Sequence, residues 1–184
     1  MKNMLCHRAA GATVCLLLAF ALSGCASMSE SQCRQADWSA RGLADGREGR
    51  SAQRLDDHVE ACAKIGVAPD RAAWNQAWEQ GIRSFCTASS GWREGSRNQT
   101  YWGGCRGQAG EDAFMNHYQL GQHLYALQQQ VQRNDGELQR LEQVLRNAKT
   151  DEERANVRAQ MRRLDSDQLR LRALITGMHL VAPR

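Results

Sequence analysis

Regularly spaced apolar residues dominate the C-terminal half of the chain. Between residues 120 and 148 they alternate spacings of four and three, and a second such run extends from residue 157 to 178. The first run is Leu120, Leu124, Leu127, Val131, Asn134, Leu138, Leu141, Leu145 and Ala148, and the second is Val157, Met161, Leu164, Gln168, Leu171, Ile175 and Met178. Heptads repeated in this way predict helices that pair through a narrow apolar seam.

The two runs are nine residues apart, so the heptad phase breaks between them. The segment 150–153 reads Thr-Asp-Glu-Glu and fits a capping box, in which Thr150 caps a new helix and Glu153 bonds back to the cap. We therefore predict a turn near Lys149 and an antiparallel, coiled-coil-like two-helix hairpin over residues 112–180.

In this hairpin Leu127 lies opposite Leu171, which places Asn134 and Gln168 in neighbouring layers. A polar contact between those layers is predicted to fix the register of the two helices. The alternative is one continuous helix that dimerises, because no glycine or proline enforces the turn.

The first 24 residues have the pattern of a secretion signal. Lys2 and Arg8 precede an apolar run over 9–22. This run is shorter than the roughly 20 residues that span a bilayer. The segment 22–25 reads Leu-Ser-Gly-Cys and resembles the lipobox that lipoprotein signal peptidase cleaves. We predict a lipoprotein signal peptide over 1–24; the alternatives are a transmembrane anchor and an ordinary secretory signal.

The lipobox resemblance implies that Cys25 becomes the N-terminus and carries three acyl chains in a Gram-negative cell. Several chains anchor a protein stably where one does not. Ala26 replaces the aspartate that would resemble an inner-membrane retention signal. The expected location is therefore the outer membrane, facing the periplasm, with residues 25–32 as a lipidated linker.

Loss of the signal removes Lys2 and Arg8 and lowers the formal net charge from +4 to +2. That charge is too weak to indicate a nucleic-acid partner. The remaining chain is poor in large apolar residues, and a small core usually needs covalent staples.

Four cysteines follow the predicted lipid site: Cys33, Cys62, Cys86 and Cys105. In an oxidising compartment they indicate two disulfides, with three possible connectivities. Predicted helices over 34–47 and 50–65 form a hairpin that brings Cys33 beside Cys62, and a glycine-rich loop leads from Cys86 to Cys105. We predict these two pairs within a helical head over 33–111.

Glycines and aromatic residues form two complementary helix faces in this head. The first predicted helix carries Trp38, Gly42, Gly46 and Gly49 at spacings of three or four. A third helix starts at Pro69-Asp70 and carries Trp74, Ala77, Trp78, Gly81 and Phe85. Each helical glycine costs about 1 kcal/mol, so close packing of the aromatic helix is predicted, with a ligand groove as the alternative. Residues 87–111 are predicted to be a loop.

His58 and Asp45 are the candidate functional side chains. His58 adjoins an apolar helix face and could act as a general base or a pH sensor. We favour a half-buried structural histidine partnered by Asp45. A zinc site that uses His58 and Cys62 is disfavoured because the cysteines form no CxxC pair.

The head also resembles a known family. The spacing of Trp38, Gly42-x-x-Asp45-Gly46-x-x-Gly49, His58-x-x-x-Cys62, Gly66-x-x-Pro69-Asp70, Gly81-Ile82-x-x-Phe85-Cys86, Gly91, Gly95, Tyr101 and Cys105 is similar to that of a bacterial lipoprotein family known as domain of unknown function 2799. This resemblance implies a location and disulfides but no activity.

Taken together, the sequence predicts an all-α protein that is a non-enzymatic envelope scaffold or adaptor. We expect no cofactor and no metal. The predicted contacts are the membrane, through Cys25, and an envelope protein, through residues 120–178. The alternative is a cell-wall-directed ligand binder or hydrolase that uses Asp45 and His58, although no Ser/His/Asp arrangement stands out in the sequence.

Overall fold

The computed structural model describes residues 27–183, so the predicted signal (1–24) and Cys25 lie outside the described residues. Throughout this part the regular structure is helical, which confirms the all-α prediction. The helices are α1 Glu30–Arg34, α2 Trp38–Arg47, α3 Arg54–Ala63, α4 Arg71–Phe85, α5 Ala88–Ser96, α6 Glu111–Asn147 and α7 Asp151–Leu180. No helix within 27–183 is long and apolar enough to cross a membrane.

Helices α2 and α4 touch backbone to backbone. A Cβ atom added to Gly42 would lie 2.2 Å from the carbonyl oxygen of Trp74, and one added to Gly81 would lie 2.4 Å from that of Leu43. Gly46 meets the α4 backbone in the same way. The prediction that the glycine face packs closely against the aromatic helix is therefore confirmed, and no ligand groove lies between these helices.

Helices α5 and α6 make a second close pair. A Cβ atom on Gly91 would lie 2.1 Å from the carbonyl oxygen of Phe114, and one on Gly95 equally close to that of Tyr118. The prediction of a loop over 87–111 is therefore wrong for α5. Its two glycines give low helix propensity, but contact with α6 makes the helix stable.

The second pair repeats the geometry of the first. In each, two glycines four residues apart pack on two aromatic residues four apart, followed by a glycine three residues later. The matched sets are Gly42, Gly46, Trp74, Trp78 and Gly81 in the first pair and Gly91, Gly95, Phe114, Tyr118 and Gly121 in the second.

The turns that leave the two glycine helices match as well. Trp78 Nε1 donates to the carbonyl oxygen of Arg50 at 2.9 Å, and the Tyr118 hydroxyl donates to that of Gln99 at 2.8 Å. A residue with positive φ precedes each acceptor: Gly49 and Asn98. The head therefore consists of two equivalent helical hairpins, and α3 is an addition to the first.

Both predicted disulfides are present, as Cys33–Cys62 and Cys86–Cys105. Each joins a cysteine that precedes the glycine helix of a hairpin to one in the connection that follows it. The same staple therefore closes both hairpins.

The start of the head differs from the prediction. A helix over 34–47 is wrong because the chain leaves α1 after Arg34 and restarts at Trp38, where Asp37 accepts from the Ala40 N–H. The predicted linker 25–32 is also part of the head from Ser27 onward. Met28 is buried against the Cys33–Cys62 disulfide, and the chain enters α1 through a capping box.

The C-terminal hairpin has its predicted turn. Helix α6 ends at Asn147, and α7 begins at Asp151 with the Thr150–Glu153 capping box, so the continuous-helix alternative is wrong. Gln168 Nε2 lies 3.4 Å from the carbonyl oxygen of Val131, in the register predicted for this hairpin.

Two details of this region need correction. The Gln168 side chain reaches Asp135, whereas Asn134 accepts a bond from Gln130 on its own helix. The boundary at 112 is also wrong, because the first turns of α6 place Phe114 and Tyr118 in the head core.

Candidate functional site

The two candidate side chains meet inside the head. Asp45 comes from α2 and His58 from α3, and His58 Nε2 lies 2.8 Å from Asp45 Oδ2. The exposed fraction is 4% for Asp45 and 1% for His58. The predicted partnership is present, but both side chains are fully buried, not half-buried.

Two further residues complete this buried network. Trp74 Nε1 donates to the same Asp45 oxygen at 3.0 Å, and the Ser27 hydroxyl lies 2.9 Å from His58 Nδ1. Both ring nitrogens of His58 therefore have a hydrogen-bond partner, Asp45 at Nε2 and Ser27 at Nδ1. Four segments of the head are thereby joined by consecutive hydrogen bonds.

Sequence reasoning missed the hydrogen-bonding role of two of these four residues. Ser27 lies 31 positions from His58 and precedes the first helix, so no local pattern connects them. Trp74 was predicted only as a packing residue. A tryptophan predicted to be buried does imply a hydrogen-bond acceptor for its indole N–H, because such a group is usually paired.

The order Ser27, His58, Asp45 is that of a relay that activates a serine nucleophile. Its surroundings differ from those of such a relay. The imidazole is covered, with the Trp38 ring centroid 6.3 Å away, and the carboxylate is shared with Trp74. The arrangement serves to tie the N-terminal segment to α2, α3 and α4.

Metal binding has no support at this site. Cys62 is in a disulfide, so the zinc hypothesis with His58 is wrong. Among residues 27–183, no group of three or more His, Cys, Asp or Glu side chains is placed to hold a metal ion.

A family model described as "Protein of unknown function (DUF2799)" matches residues 37–123. No curated protein and no solved structure matches the chain. The matched segment runs from the cap of α2 to the fourth turn of α6, and it includes the glycines and aromatic residues of both hairpins. The two-hairpin head is therefore the part of this chain that belongs to the DUF2799 family.

Proposed function

We propose that this protein is a lipid-anchored envelope scaffold or adaptor. Acyl chains on Cys25 hold the head at the periplasmic face of the outer membrane, and the α6–α7 hairpin contacts another envelope component. Catalysis plays no part in this role.

The observation that carries the proposal is the length and surface of the hairpin. Beyond Leu124, the last α6 seam residue that is buried near the head, α6 continues to Asn147, which corresponds to about 35 Å of helix. The outside of α7 carries large apolar side chains, with Leu169 70% and Leu174 50% exposed. A two-helix hairpin buries only one seam, so its outer faces are free to contact a partner.

The buried network supports a rigid mounting of the head. Ser27 is hydrogen-bonded to His58 only two residues after Cys25. Two residues of extended chain span about 7 Å, so lipid on Cys25 would hold the head directly at the bilayer surface. A hairpin fixed to such a head would have a restricted range of directions.

The same network argues against a hydrolase that uses Asp45 and His58. Their polar atoms bond to Trp74 and Ser27 inside the head, and the imidazole is not exposed to a substrate. We therefore propose no reaction at this pair.

Crosslinking in intact cells tests the adaptor role. One variant replaces residues 132–167 with a short glycine-rich turn, which keeps the Val131–Gln168 contact and the head. A second variant, Leu169→Gln with Leu174→Gln, keeps the hairpin length. We expect a specific crosslinked partner to be lost from the first variant and weakened in the second.

The control for this experiment is Glu142→Gln, an exposed change on α6 that leaves the apolar surface intact. An unchanged partner set in the shortened variant would contradict the adaptor role. The anchor is tested separately by Cys25→Ser, which should release the protein from membranes, and by mass spectrometry of the mature N-terminus.

A further inference from the structure

A cleft of about 510 Å³ opens where the turns of the two head hairpins meet. This volume lies within the usual range for small-molecule sites, about 300–1,000 Å³. Its charged and polar lining and its exposed aromatic ring come from α2, from α5, from the turns that follow these helices and from the loop before α6: Arg47, Glu48, Arg50, Arg93, Glu94, Gln99, Thr100 and Trp102.

The floor of the cleft is rigid. Gly49 has a φ of 72°, and a Cβ atom there would lie 2.2 Å from the Phe85 ring. The carbonyl groups of Arg50 and Gln99 are each held by an aromatic side chain of the opposite helix. A preformed site loses less conformational entropy when it binds a ligand.

Trp102 lines this cleft and has 55% of its surface accessible. Its loop is not free to turn it inward, because Cys105 is bonded to Cys86 and the Cys105 N–H donates to the Tyr101 hydroxyl. Tyr101, its neighbour, packs on Phe114 in the core. Burial therefore accounts for Tyr101 but gives no reason for a tryptophan at 102.

The charges around the cleft favour an anion. Arg50 lies over the Trp102 ring at 5.0 Å and pairs with Glu48 at 3.5 Å, while Arg93 pairs with Glu94 at 3.0 Å. Among the described residues, the Arg47 guanidinium has no ion-pair partner. An unpaired guanidinium at a rigid polar cleft can bind a carboxylate through two hydrogen bonds.

We propose that this cleft binds a sugar that carries a carboxylate. Arg50 lies over one face of the Trp102 ring, and the exposed remainder of the ring offers a surface for the C–H face of the sugar. Arg47 takes the carboxylate, and Gln99 and Thr100 are placed for the hydroxyl groups. Small-molecule sites commonly combine aromatic surface with a few polar groups that set the orientation of the ligand. The site lies apart from Asp45 and His58 and does not rest on the adaptor role.

The test compares two sugars that differ only in the carboxylate-bearing lactyl group. N-acetylmuramic acid and N-acetylglucosamine are titrated into the full acylated chain in detergent, and NMR follows the indole N–H signals of the five tryptophans. We expect the carboxylated sugar to shift the Trp102 signal with a Kd of about 1 mM or tighter. The neutral sugar should bind about tenfold more weakly.

Two variants locate the binding. Trp102→Ala and Arg47→Gln should each weaken binding about tenfold, whereas Arg83→Gln, an exposed guanidinium on α4 away from the cleft, should leave it unchanged. No shift of the Trp102 signal, equal binding of the two sugars, or an equal loss in the Arg83 variant would each overturn the proposal.

Discussion

Gly42 and Gly136 both lie inside helices, but an added methyl group would meet different surroundings at each. At Gly42 it would lie 2.2 Å from a backbone oxygen of α4, while at Gly136 nothing lies within 4 Å. Backbone atoms cannot turn aside as a flexible side chain can, so the helices would have to separate. The close packing of α2 on α4 therefore requires glycine at position 42.

Gly42→Ala is expected to lower the free energy of unfolding by about 2 kcal/mol or more, since the close α2–α4 contact is overpacked. Gly136→Ala is the matched control and should raise it by about 0.5–1 kcal/mol through helix propensity. Urea denaturation of both variants measures these changes. A mild effect at Gly42 would mean that the helices can move apart without loss.

Asp45→Ala should destabilise the head by about 3 kcal/mol, because it leaves the buried donors of His58 and Trp74 without an acceptor. Hydrogen exchange should also quicken at Met28 and Ser29, since Ser27 is held through the same imidazole. A drop in stability with unchanged exchange at the N-terminal segment would show that the network does not tie it down.

At the scale of elements, the start of α7 depends on a charge. The Glu153 carboxylate accepts from the backbone N–H groups of Lys149 and Thr150, and these bonds lower the pKa of Glu153 below its usual 4.5. A carboxylate with a lowered folded-state pKa stabilises the fold above its unfolded pKa, and this contribution disappears as the pH falls through the folded value.

We therefore expect the first turn of α7 to loosen when the pH is lowered below about 4.5. Amide exchange of Glu153 and Arg154 between pH 6 and pH 3 would report it. Glu153→Gln keeps an acceptor oxygen but cannot titrate, so its first turn should show a flatter pH response. Identical profiles in the two proteins would exclude the carboxylate as the cause.

The buried polar contact between Gln168 and Asp135 in the α6–α7 hairpin lowers stability but favours one register of the two helices. Gln168 donates to Asp135, but its Oε1 is buried without a partner among the described residues. Gln168→Leu should raise the free energy of unfolding by about 1 kcal/mol while allowing other pairings of the helices. Thermal melting and light scattering would detect the two effects, and a more stable variant with unchanged oligomeric state would contradict the register role.

On the scale of the whole molecule, the two hairpins of the head share one geometry but have different structural roles. The first holds the buried Asp45–His58 pair and the N-terminal segment, and the second continues into the long α6. Each has its own disulfide, so the two staples can be removed separately.

Replacing Cys86 and Cys105 by alanine should cost about 2–4 kcal/mol and also abolish sugar binding, because the loop that carries Trp102 is released. Replacing Cys33 and Cys62 should cost a similar amount but leave sugar binding intact, since that bridge joins α1 to α3 and neither cysteine lines the cleft. Denaturation and the NMR titration measure both. Sugar binding that survives loss of the Cys86–Cys105 disulfide would show that this bridge is not needed to position Trp102.

Much of the fold followed from spacings within single segments. The heptads and the Thr150–Glu153 box predict α6, the turn and α7, because helix pairing and capping depend on residues three or four positions apart. The two disulfides followed from the predicted order of helices. These features are local, or need only the neighbouring element.

Helix α5, the mounting of Ser27 and the cleft at Trp102 required the folded chain. Gly91 and Gly95 oppose a helix until α6 supplies a backbone to pack on, and Ser27 finds its partner 31 residues away. In a sequence, a segment with low helix propensity, or a polar residue without a local partner, is predicted to be a loop or a linker. Their meaning is set by contacts between distant segments, which close packing in three dimensions decides.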